Sequence, residues 1–511
     1  MSAEKKENDQ SSPHMPIDRI TPMIYQTSHG QQVLFFTITL GAVQYGYHTG
    51  ELNTPQEAIS KCRHKNDAAV VSWSLPPCLP MTDAMYSLVV AMLLAGGLLG
   101  ALSASFFSDT FGRRRTLVLT NILLGSGSLI MTLAPTVSLL MAGRFLAGIG
   151  GGVVTVVVPA YIAECVPKAS RGFFGTLNQL AIVTGIMVSQ IIGMAVGWRW
   201  ILVVGVGLAV LQLVLLPLCV ESPRYLAVVG PANGKDRVGA ASLAKQSLLR
   251  LRGPPLGAVE DEIEEWQRES GIVAPSPSTP LVARNNSVTL RRFLTGRQYR
   301  HPLLLIVLVQ LSQQFSGINA VIFYSTSIMS TVFPDSSDRI TVFISIINLV
   351  MTVVSAYLMD RSGRRTLFLV SSSAMACCSL LLGWSIQHGY TQTSTVAIVS
   401  FVAAFAIGLG PIPFLIIPEL VDSSAVASAG SVGLASNMLM NFTVSAGFMG
   451  LREIIGQGQV FYVFAVILVT CSVLGWLYLP ETKNKSADQI VRSGWAVERS
   501  SWWKPRDYSP L

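Results

Sequence analysis

"SDTFGRRR", residues 108–115, has a counterpart 251 residues later in "MDRSGRR", residues 359–365. Two pairs of glutamates keep similar offsets of 255 and 260, namely Glu164 with Glu419 and Glu221 with Glu481. Landmarks repeated at a nearly constant separation are typical of proteins built from two copies of one unit. The chain is therefore predicted to consist of two similar halves.

Long apolar stretches surround these landmarks. Only 13% of the 511 residues are Asp, Glu, Lys or Arg, against about 25% in soluble proteins. A stretch of about 18 apolar residues is long enough to cross a bilayer as a helix. The sequence predicts an all-α membrane protein with about twelve such helices in two repeats of six, at 32–53, 84–108, 116–135, 137–162, 172–195, 198–219, 301–330, 340–359, 366–387, 395–419, 427–450 and 459–479.

Basic residues predict the orientation of these helices. The first 30 residues are polar, which argues against a cleavable signal peptide. With both termini in the cytoplasm, the outer loops hold only six of the 36 Lys and Arg residues, as expected of a membrane protein. The net charge of +8 therefore indicates topology and attraction to anionic lipid, not nucleic-acid binding.

The predicted organisation has five parts: a cytoplasmic tail (1–31), a six-helix bundle (32–219), a cytoplasmic linker (220–300), a second bundle (301–480) and a C-terminal tail (481–511). Helical patterns in the linker cover 240–252 and 260–269, followed by a Pro/Ser-rich segment at 274–280. The sequence lacks a phosphate-binding loop of the G-x-x-x-x-G-K-[ST] type, which argues against transport driven by ATP.

Of the seven cysteines, only Cys62 and Cys78 fall in a predicted exoplasmic loop, where disulfides are stable. A disulfide and two free thiols are both compatible with the sequence.

Charged residues cluster at the predicted cytoplasmic ends of the helices. Rocking of two halves about a central cavity is one way to carry a solute across a membrane, and such charges can join the halves while the cavity faces out. The alternative is that some are only stop-transfer charges or solvated helix caps. The candidates for this gating role are Arg113, Arg114, Glu164, Arg171, Glu221 and Arg224 in the first half, and Asp360, Arg364, Arg365, Glu419 and Glu481 in the second.

Nine motifs in order resemble the sugar porters of the major facilitator superfamily, and in particular the glucose facilitators and fungal-type hexose transporters, over residues 33–485. They are "QYGYHTGELNTPQ" (44–56), "DTFGRRR" (109–115), "GRFLAGIGGG" (143–152), "PAYIAECVPKASRG" (159–172), "ESPRYL" (221–226), "QLSQQFSGINAVIFYSTSI" (310–328), "DRSGRR" (360–365), "GPIPF" (410–414) and "PETK" (480–483). The resemblance implies the major facilitator fold and facilitated diffusion of a hexose, with no enzymatic activity and no cofactor.

Side-chain amides without neighbouring charges are the main chemical feature of the membrane-spanning stretches. A neutral molecule rich in hydroxyl groups needs partners that both donate and accept hydrogen bonds, as Gln and Asn do. In the seventh span Asn319 points away from Gln310, Gln313 and Gln314 unless the helix breaks, and Gly317 provides a place for that break.

The resemblance implies that hexose is held by Gln179, Gln313, Gln314, Asn319, Asn348 and Asn441. Further candidates are Gln44, which pairs with His48 at i, i+4, and Gln190, which lies on the same face as Gln179; Asn437 pairs with Asn441 in the same way. The alternative for any single amide is a hydrogen bond between helices. Tyr324 corresponds to a family tyrosine that closes the exoplasmic side, and the tenth span is expected to be discontinuous because of Gly408, Gly410, Pro411 and Pro413.

Three residues depart from the family pattern. Phe414 and Met438 stand where the family has tryptophans, and Ala406 stands where it has a carboxylate. Phe414 is nevertheless a further candidate for the substrate site, because it lies at a family position that contacts the sugar. The arginine expected between the tenth and eleventh spans is also missing from "DSSAVASA", residues 422–429. These departures leave the preferred sugar open.

His48 does not decide whether sugar transport is coupled to protons. Proton-coupled relatives have Asp at this position and passive facilitators have Asn. An imidazole, with a free pKa of about 6.5, is able to carry a proton, whereas a neutral imidazole simply replaces Asn as a hydrogen-bonding group. Glu51 is the carboxylate near it in sequence.

Two further alternatives concern the class of function and the membrane. A sugar receptor that does not transport usually has a long signalling tail, and only about thirty residues follow "PET" here. "YSPL", Tyr508 to Leu511, fits the Y-x-x-apolar pattern read by sorting adaptors, although so short a motif also occurs by chance. The plasma membrane and a vacuolar or endosomal membrane both remain candidates.

Overall fold

The structure is a computed structural model that describes residues 29–62, 75–166, 171–229, 237–252, 256–269, 288, 290–330, 337–422, 425–483, 485, 487–495 and 497. The described residues are almost entirely α-helical. The helices of the first half are α1 His29–Gly50, α2 Gln56–Ser60, α3 Asp83–Phe111, α4 Arg113–Thr132, α5 Val137–Cys165, α6 Arg171–Ala195 and α7 Trp198–Leu215. The linker forms α8 Arg237–Arg252, α9 Leu256–Glu269 and α10 Leu290–Thr295. The second half contains α11 Arg300–Phe315, α12 Ile318–Ser330, α13 Ser337–Ser362, α14 Arg364–Gln387, α15 Thr391–Ile407, α16 Ile412–Leu415, α17 Ile417–Leu420, α18 Val426–Ile455 and α19 Gln457–Tyr478, followed by α20 Ala487–Arg492.

Ten helical spans within the described residues are long and apolar enough to cross a membrane. Helices α1 and α18 occupy the positions of the first and eleventh predicted spans and carry many buried polar side chains. The protein is thus an all-α, multi-pass membrane protein. Two spans are interrupted: α11 and α12 replace the single helix expected at 301–330, and a turn at 408–411 separates α15 from α16.

Within the first half, α3 and α5 pack with their backbones in close contact. A Cβ atom added to Gly96 or Gly100 would lie 2.0 or 2.1 Å from a carbonyl oxygen of α5. Likewise, a Cβ atom added to Gly148 or Gly152 of α5 would lie 2.1 or 2.0 Å from a carbonyl oxygen of α3. Lipid supplies no hydrophobic force between helices, so small residues that allow close approach hold such pairs together.

The repeated basic motif forms the same cap in each half. Gly112 and Gly363 join consecutive helices with positive φ values of 95° and 85°. At the first joint, the carboxylate of Glu221 accepts the backbone N–H of Arg113 at 2.9 Å and that of Arg114 at 3.1 Å. At the second, Glu481 accepts the N–H of Arg364 at 2.9 Å. A carboxylate at the N-terminus of a helix satisfies otherwise unpaired N–H groups and complements the helix dipole.

Cys62 and Cys78 are bonded as a disulfide, with their Cα atoms 5.3 Å apart. The segment around Cys78 lies across the end of the first half, because the indole of Trp198 donates to the Pro77 carbonyl at 2.9 Å and Arg199 donates to the Pro76 carbonyl at 2.9 Å. The disulfide therefore ties the segment after α1 to the segment before α3.

The linker helices form a small unit with its own apolar core. Ala244 and Leu248 of α8 pack with Ile263 and Trp266 of α9, and all four are buried. The two helices agree with the patterns predicted at 240–252 and 260–269. The Pro/Ser-rich segment at 274–280 lies outside the described residues.

Substitution of Gly363 by alanine tests the cap. Positive φ costs a non-glycine residue about 1–2 kcal/mol, and the new Cβ would lie 2.6 Å from Glu481 Oε2. We expect Gly363→Ala to lower the melting temperature of the purified protein, as followed by intrinsic fluorescence in detergent. Gly430→Ala is the matched control, because no atom lies within 4 Å of its new Cβ in the described part of the chain. Equal melting temperatures for both variants would contradict this account of the cap.

Candidate functional site

The seventh span breaks in the middle of the amide-rich stretch. Helix α11 ends at Phe315, and Gly317 has a φ of 86° before α12 begins at Ile318. Phe464 packs directly on the break, since a Cβ on Gly317 would lie 2.4 Å from its ring. The break turns Asn319 back towards α11, where its Nδ2 donates to Oε1 of Gln314. This agrees with the expectation that Asn319 joins the other amides only if the helix breaks at Gly317.

Gln313 joins this break to the break in the tenth span. Its Nε2 donates to the carbonyl of Leu409 at 2.9 Å and to that of Gly410 at 2.8 Å. Both carbonyls lie in the turn between α15 and α16, where no helical N–H is available to them. Similarly, Nε2 of Gln310 donates to the Pro413 carbonyl at 3.0 Å. The interruption of the tenth span is therefore stabilised by side chains of the seventh.

Asn437 of α18 is the centre of the amide cluster. Its Nδ2 donates to Oε1 of Gln310 at 2.7 Å and to Oε1 of Gln313 at 2.6 Å, and its Oδ1 accepts from Nε2 of Gln314 at 2.8 Å. Gln314 Nε2 also donates to Gln313 Oε1 at 3.2 Å. Gln313 thereby uses both N–H donors and accepts two hydrogen bonds, which is the full capacity of a primary amide.

The cluster is buried and uncharged. Gln310, Gln313, Gln314, Asn319 and Asn437 are at most 9% exposed. All their hydrogen-bond partners named above are amides or backbone carbonyls. A charged ligand would have no counter-charge among these partners, whereas a neutral ligand with hydroxyl groups can exchange hydrogen bonds with them.

Polar groups on neighbouring helices are available to such a ligand. No residue in the described part of the chain hydrogen-bonds the side-chain amide of Asn348 on α13 or that of Gln179 on α6, and the same holds for the Oδ1 atom of Asn319. Helix α13 packs against both α6 and α12, so it joins the helices that carry the other two groups. Asn441 is buried on α18, where its Oδ1 accepts from Ser445 at 3.1 Å.

Three other candidates lie in different surroundings. Gln44 is buried inside the first half, and its Nε2 donates to Gln212 at 2.6 Å and to Asn121 at 3.1 Å. It therefore joins three helices of one bundle and does not belong to the amide cluster. Gln190 accepts a hydrogen bond from Ser345 across the two halves, and Phe414 is 43% exposed.

The halves are joined at the predicted exoplasmic end. Asn53, just after α1, donates to the Ile322 carbonyl at 2.7 Å and to Ser325 Oγ at 2.8 Å, and its Oδ1 accepts the N–H of Thr326 at 3.2 Å. These three bonds attach the first half to α12. The hydrogen bond between Gln190 and Ser345 joins α6 to α13. Gln190 lies near the C-terminus of α6 and Ser345 near the N-terminus of α13, both towards the predicted exoplasmic end.

Tyr324 packs within the second half at this end. Its hydroxyl donates to the Ser445 carbonyl at 3.0 Å, and its ring stacks on Phe448 with centroids 5.4 Å apart. It is completely buried. The tyrosine thus anchors α12 to α18 beside the position where Asn53 holds α12.

At the opposite end the charged pairs stay within each half. Arg113 Nη2 donates to Glu164 at 2.9 Å in the first half, and Arg364 Nη2 lies 3.0 Å from Glu419 in the second. Hydroxyls complete each pair in the same way: Ser222 donates to Glu164 at 2.5 Å and Thr482 to Glu419 at 2.5 Å. These pairs do not bridge the halves in this structure, whereas Asn53 does so at the predicted exoplasmic end.

The remaining gating candidates have separate roles. Burial raises the pKa of the Glu221 carboxyl, although the N–H groups of Ser222, Arg114 and Arg113 oppose that shift. Arg365 donates to the Trp476 carbonyl at 2.7 Å, and Arg224 is half-buried. The side chains of Arg171 and Asp360 lie outside the part that the structure describes.

His48 belongs to a buried ionic group in the first half. Its Nδ1 lies 3.0 Å from Glu51 Oε2, while the other carboxylate oxygen accepts from Arg144 Nη1 at 2.8 Å. Arg144 also donates to the His48 carbonyl at 2.6 Å. The side chains of all three are at most 1% exposed. A buried charge requires such a partner, so the carboxylate between imidazole and guanidinium is compensated.

Three residues of these groups have no role predicted from the sequence. Asn437 is noted only as the i, i+4 partner of Asn441, and Asn53 and Arg144 lie in family motifs without an assigned role. Two signals point to them: Arg144 is an ionisable residue inside a predicted span, which marks a functional position. Asn53 follows Gln44 by nine residues, as Asn319 follows Gln310.

Among the described residues no cluster of three or more His, Cys, Asp and Glu side chains has the geometry for a metal ion.

Comparison with known proteins agrees with this architecture. The family described as "Sugar (and other) transporter" matches residues 34–493. The chain is 35% identical over 472 residues to the facilitated glucose transporter member 4 of solute carrier family 2 from Homo sapiens, covering 89% of each chain. It is 37% identical over 469 residues to member 3 from Canis lupus familiaris, covering 89% of this chain and 90% of the relative.

Solved structures show the same fold. The chain resembles the proton:xylose symporter bound to 6-bromo-6-deoxy-D-glucose with a TM-score of 0.71 and 22% identity, covering 91% of this chain and 99% of that one. The inward-open xylose transporter from E. coli gives a TM-score of 0.71, with 90% and 98% coverage. The chain belongs to the sugar transporter family.

Proposed function

We propose that this protein carries a hexose across a membrane by alternating access, driven only by the sugar gradient. The observation that carries the proposal is the buried, uncharged amide cluster centred on Asn437, which joins the interrupted seventh and tenth spans. The relatives named as facilitated glucose transporters support the choice of substrate class.

The cluster suits a ligand that must be released again. The amides of Gln313, Gln314 and Asn437 form hydrogen bonds with one another. A hydroxyl that enters exchanges with one of these bonds, so the net gain per contact is small, at about 1 kcal/mol. Millimolar binding requires only about 4 kcal/mol. Asn319, Gln179 and Asn348 contribute groups that have no internal bond to give up.

The arrangement of contacts supports assignment of the structure to the state with its exoplasmic end closed. Asn53 joins α1 to α12 at that end, whereas Arg113 and Arg364 pair within their own halves at the other. In the opposite state we propose that the basic and acidic residues at the cytoplasmic end exchange partners between the halves and close that side. The gating role predicted from the sequence is thereby assigned to the state in which the cytoplasmic end is closed.

Loss of the Asn319 amide tests the substrate site. Asn319→Leu has a similar volume but offers no hydrogen bond to a hydroxyl and leaves Gln314 Oε1 without its donor. We expect the ratio of maximal rate to half-saturation constant for D-glucose to fall at least about fivefold, since at least one buried hydrogen bond worth about 1–3 kcal/mol is lost. The measurement is counterflow of radiolabelled D-glucose in proteoliposomes.

Gln387→Met is the matched control for this variant. It also removes an amide of the second half, but Gln387 lies at the end of α14, where Tyr462 donates to it at 2.9 Å in an exposed position. Its counterflow should equal that of the unmodified protein. Unchanged transport in Asn319→Leu would reject the proposed site, and absence of counterflow in the unmodified protein would favour a sugar receptor that does not transport.

A second candidate function is proton-coupled transport of the sugar. The specific observation in its favour is the buried contact of His48 with Glu51, whose other oxygen contacts Arg144. Addition of a proton at His48 changes the charge of a group that is sealed from water, and the two flanking ionic side chains respond to that change. His48 and Asn53 lie at the same end of α1, so the proton site adjoins the exoplasmic contact.

Substitution of His48 by asparagine separates the two candidates. If protons drive uptake, proteoliposomes with an acidic exterior accumulate sugar above equilibrium, and His48→Asn abolishes accumulation while exchange of sugar continues. His388→Asn is the control, because His388 is exposed at the end of α14. An unmodified protein that only equilibrates sugar at every pH gradient would reject proton coupling.

The membrane and the sorting signal are further parts of the proposal. The distribution of Lys and Arg supports cytoplasmic termini. Tyr508 to Leu511, which would contact sorting adaptors, lies outside the described residues. Together with the imidazole at His48, this motif favours an acidic vacuolar or endosomal membrane over the plasma membrane.

A further inference from the structure

Polar groups of the interrupted tenth span need partners from neighbouring helices. The turn at 408–411 leaves backbone groups without helical hydrogen bonds, and the surrounding lipid and apolar side chains offer none. Two serines reach the break from outside the amide cluster. Ser355 of α13 donates to the Ile407 carbonyl at 2.8 Å, and Ser371 of α14 donates to the Ala404 carbonyl at 2.7 Å.

Ser371 makes a second bond at the break. Its Oγ accepts the backbone N–H of Leu409 at 3.0 Å, and the residue is completely buried. The carbonyl of Leu409 is in turn one of the two acceptors of Gln313. A single residue of backbone therefore separates the hydroxyl of Ser371 from the side-chain amide at the site.

Helix α14 packs closely against the break at Gly408. A Cβ on Gly408 would lie 2.4 Å from the Leu367 carbonyl oxygen and 2.7 Å from Ser371 Cβ. Gly408 thus allows the turn to rest on α14. The position of the turn is fixed on one side by Ser371 and on the other by Gln313.

The first half shows what happens where no break exists. With the offset of 251 that relates Gly112 to Gly363, Thr120 is the residue of the first half that corresponds to Ser371. The hydroxyl of Thr120 donates to the Leu117 carbonyl of its own helix at 2.8 Å. Helix α5, which corresponds to the tenth span, continues from Val137 to Cys165 without interruption. At this pair of positions, the hydrogen bond to a neighbouring helix is therefore found in the half whose helix is interrupted.

We propose that Ser371 is a positioning residue for the substrate site: it holds the Leu409 backbone so that Gln313 is oriented for the ligand. The inference rests on the proposed hexose transport and adds to it a residue that does not touch the sugar. In its absence the Leu409 N–H has no acceptor, the turn shifts, and Gln313 loses the geometry in which both of its N–H groups are bonded.

Ser371→Ala and Ser379→Ala form a matched pair of variants. Both serines are completely buried on α14, and each donates to a carbonyl of a neighbouring helix at 2.7 Å. The acceptor of Ser379 is Phe461, in the uninterrupted α19, far along the helix from the break. Each substitution removes one buried hydrogen bond to a carbonyl of a neighbouring helix, and Ser371→Ala also removes the acceptor of the Leu409 N–H. Only Ser371→Ala is expected to weaken sugar binding.

The first measurement is equilibrium exchange of D-glucose in proteoliposomes containing the full chain. We expect Ser371→Ala to raise the half-saturation constant about fivefold, the effect of roughly one hydrogen bond, while Ser379→Ala leaves it unchanged. The second is the rise in melting temperature that D-glucose produces in detergent, which reports binding without transport. That rise should shrink in Ser371→Ala alone.

A double-mutant cycle with Gln313→Ala tests whether Ser371 acts through Gln313. If it does, Ser371→Ala has no further effect on the sugar-induced rise in melting temperature once Gln313 is absent. Equal half-saturation constants in Ser371→Ala and Ser379→Ala, or additive effects in the cycle, would overturn the inference while leaving hexose transport intact. No exchange by the unmodified protein would instead reject the proposed function.

Discussion

The absence of water around the helices is the constraint on which the site depends. Each backbone group freed by an interruption in a span must be paired inside the protein. In this chain the tenth span is interrupted at 408–411, and the carbonyls of Leu409 and Gly410 are paired by the amide of Gln313. The same amide accepts hydrogen bonds from Asn437 and Gln314. The residues that stabilise the interrupted helix are thus also members of the proposed substrate site.

The two halves use a common pattern for different purposes. Gln44 and Asn53 are spaced as Gln310 and Asn319 are, with an offset of 266 between the pairs. In the second half both members belong to the amide cluster. In the first, Gln44 bonds within its own bundle and Asn53 holds the opposite half. The duplicated unit has therefore kept its polar positions, while the surrounding helices determine what each position contacts.

Features that depend on neighbouring residues in sequence were predictable. The break at Gly317 and the return of Asn319 follow from helix geometry and from a residue that tolerates positive φ. The linker helices follow from local patterns as well. In contrast, the central position of Asn437 and the interior position of Gln44 depend on how helices distant in sequence rotate against each other. A polar side chain in a span predicts that a partner exists but does not identify it.

The geometry of α12 connects the site to the closed end of the protein. Asn319 lies in the first turn of α12, and Asn53 holds Ile322 and Ser325, about one and two turns further along the same helix. Tyr324, between these contacts, fixes the helix to α18, which also carries Asn437. In the proposed transport cycle, a ligand that draws Asn319 towards itself acts on the helix that Asn53 must release for the predicted exoplasmic end to open. Occupancy of the site and opening of that end are then linked through one short helix, which the interruption at Gly317 separates from α11.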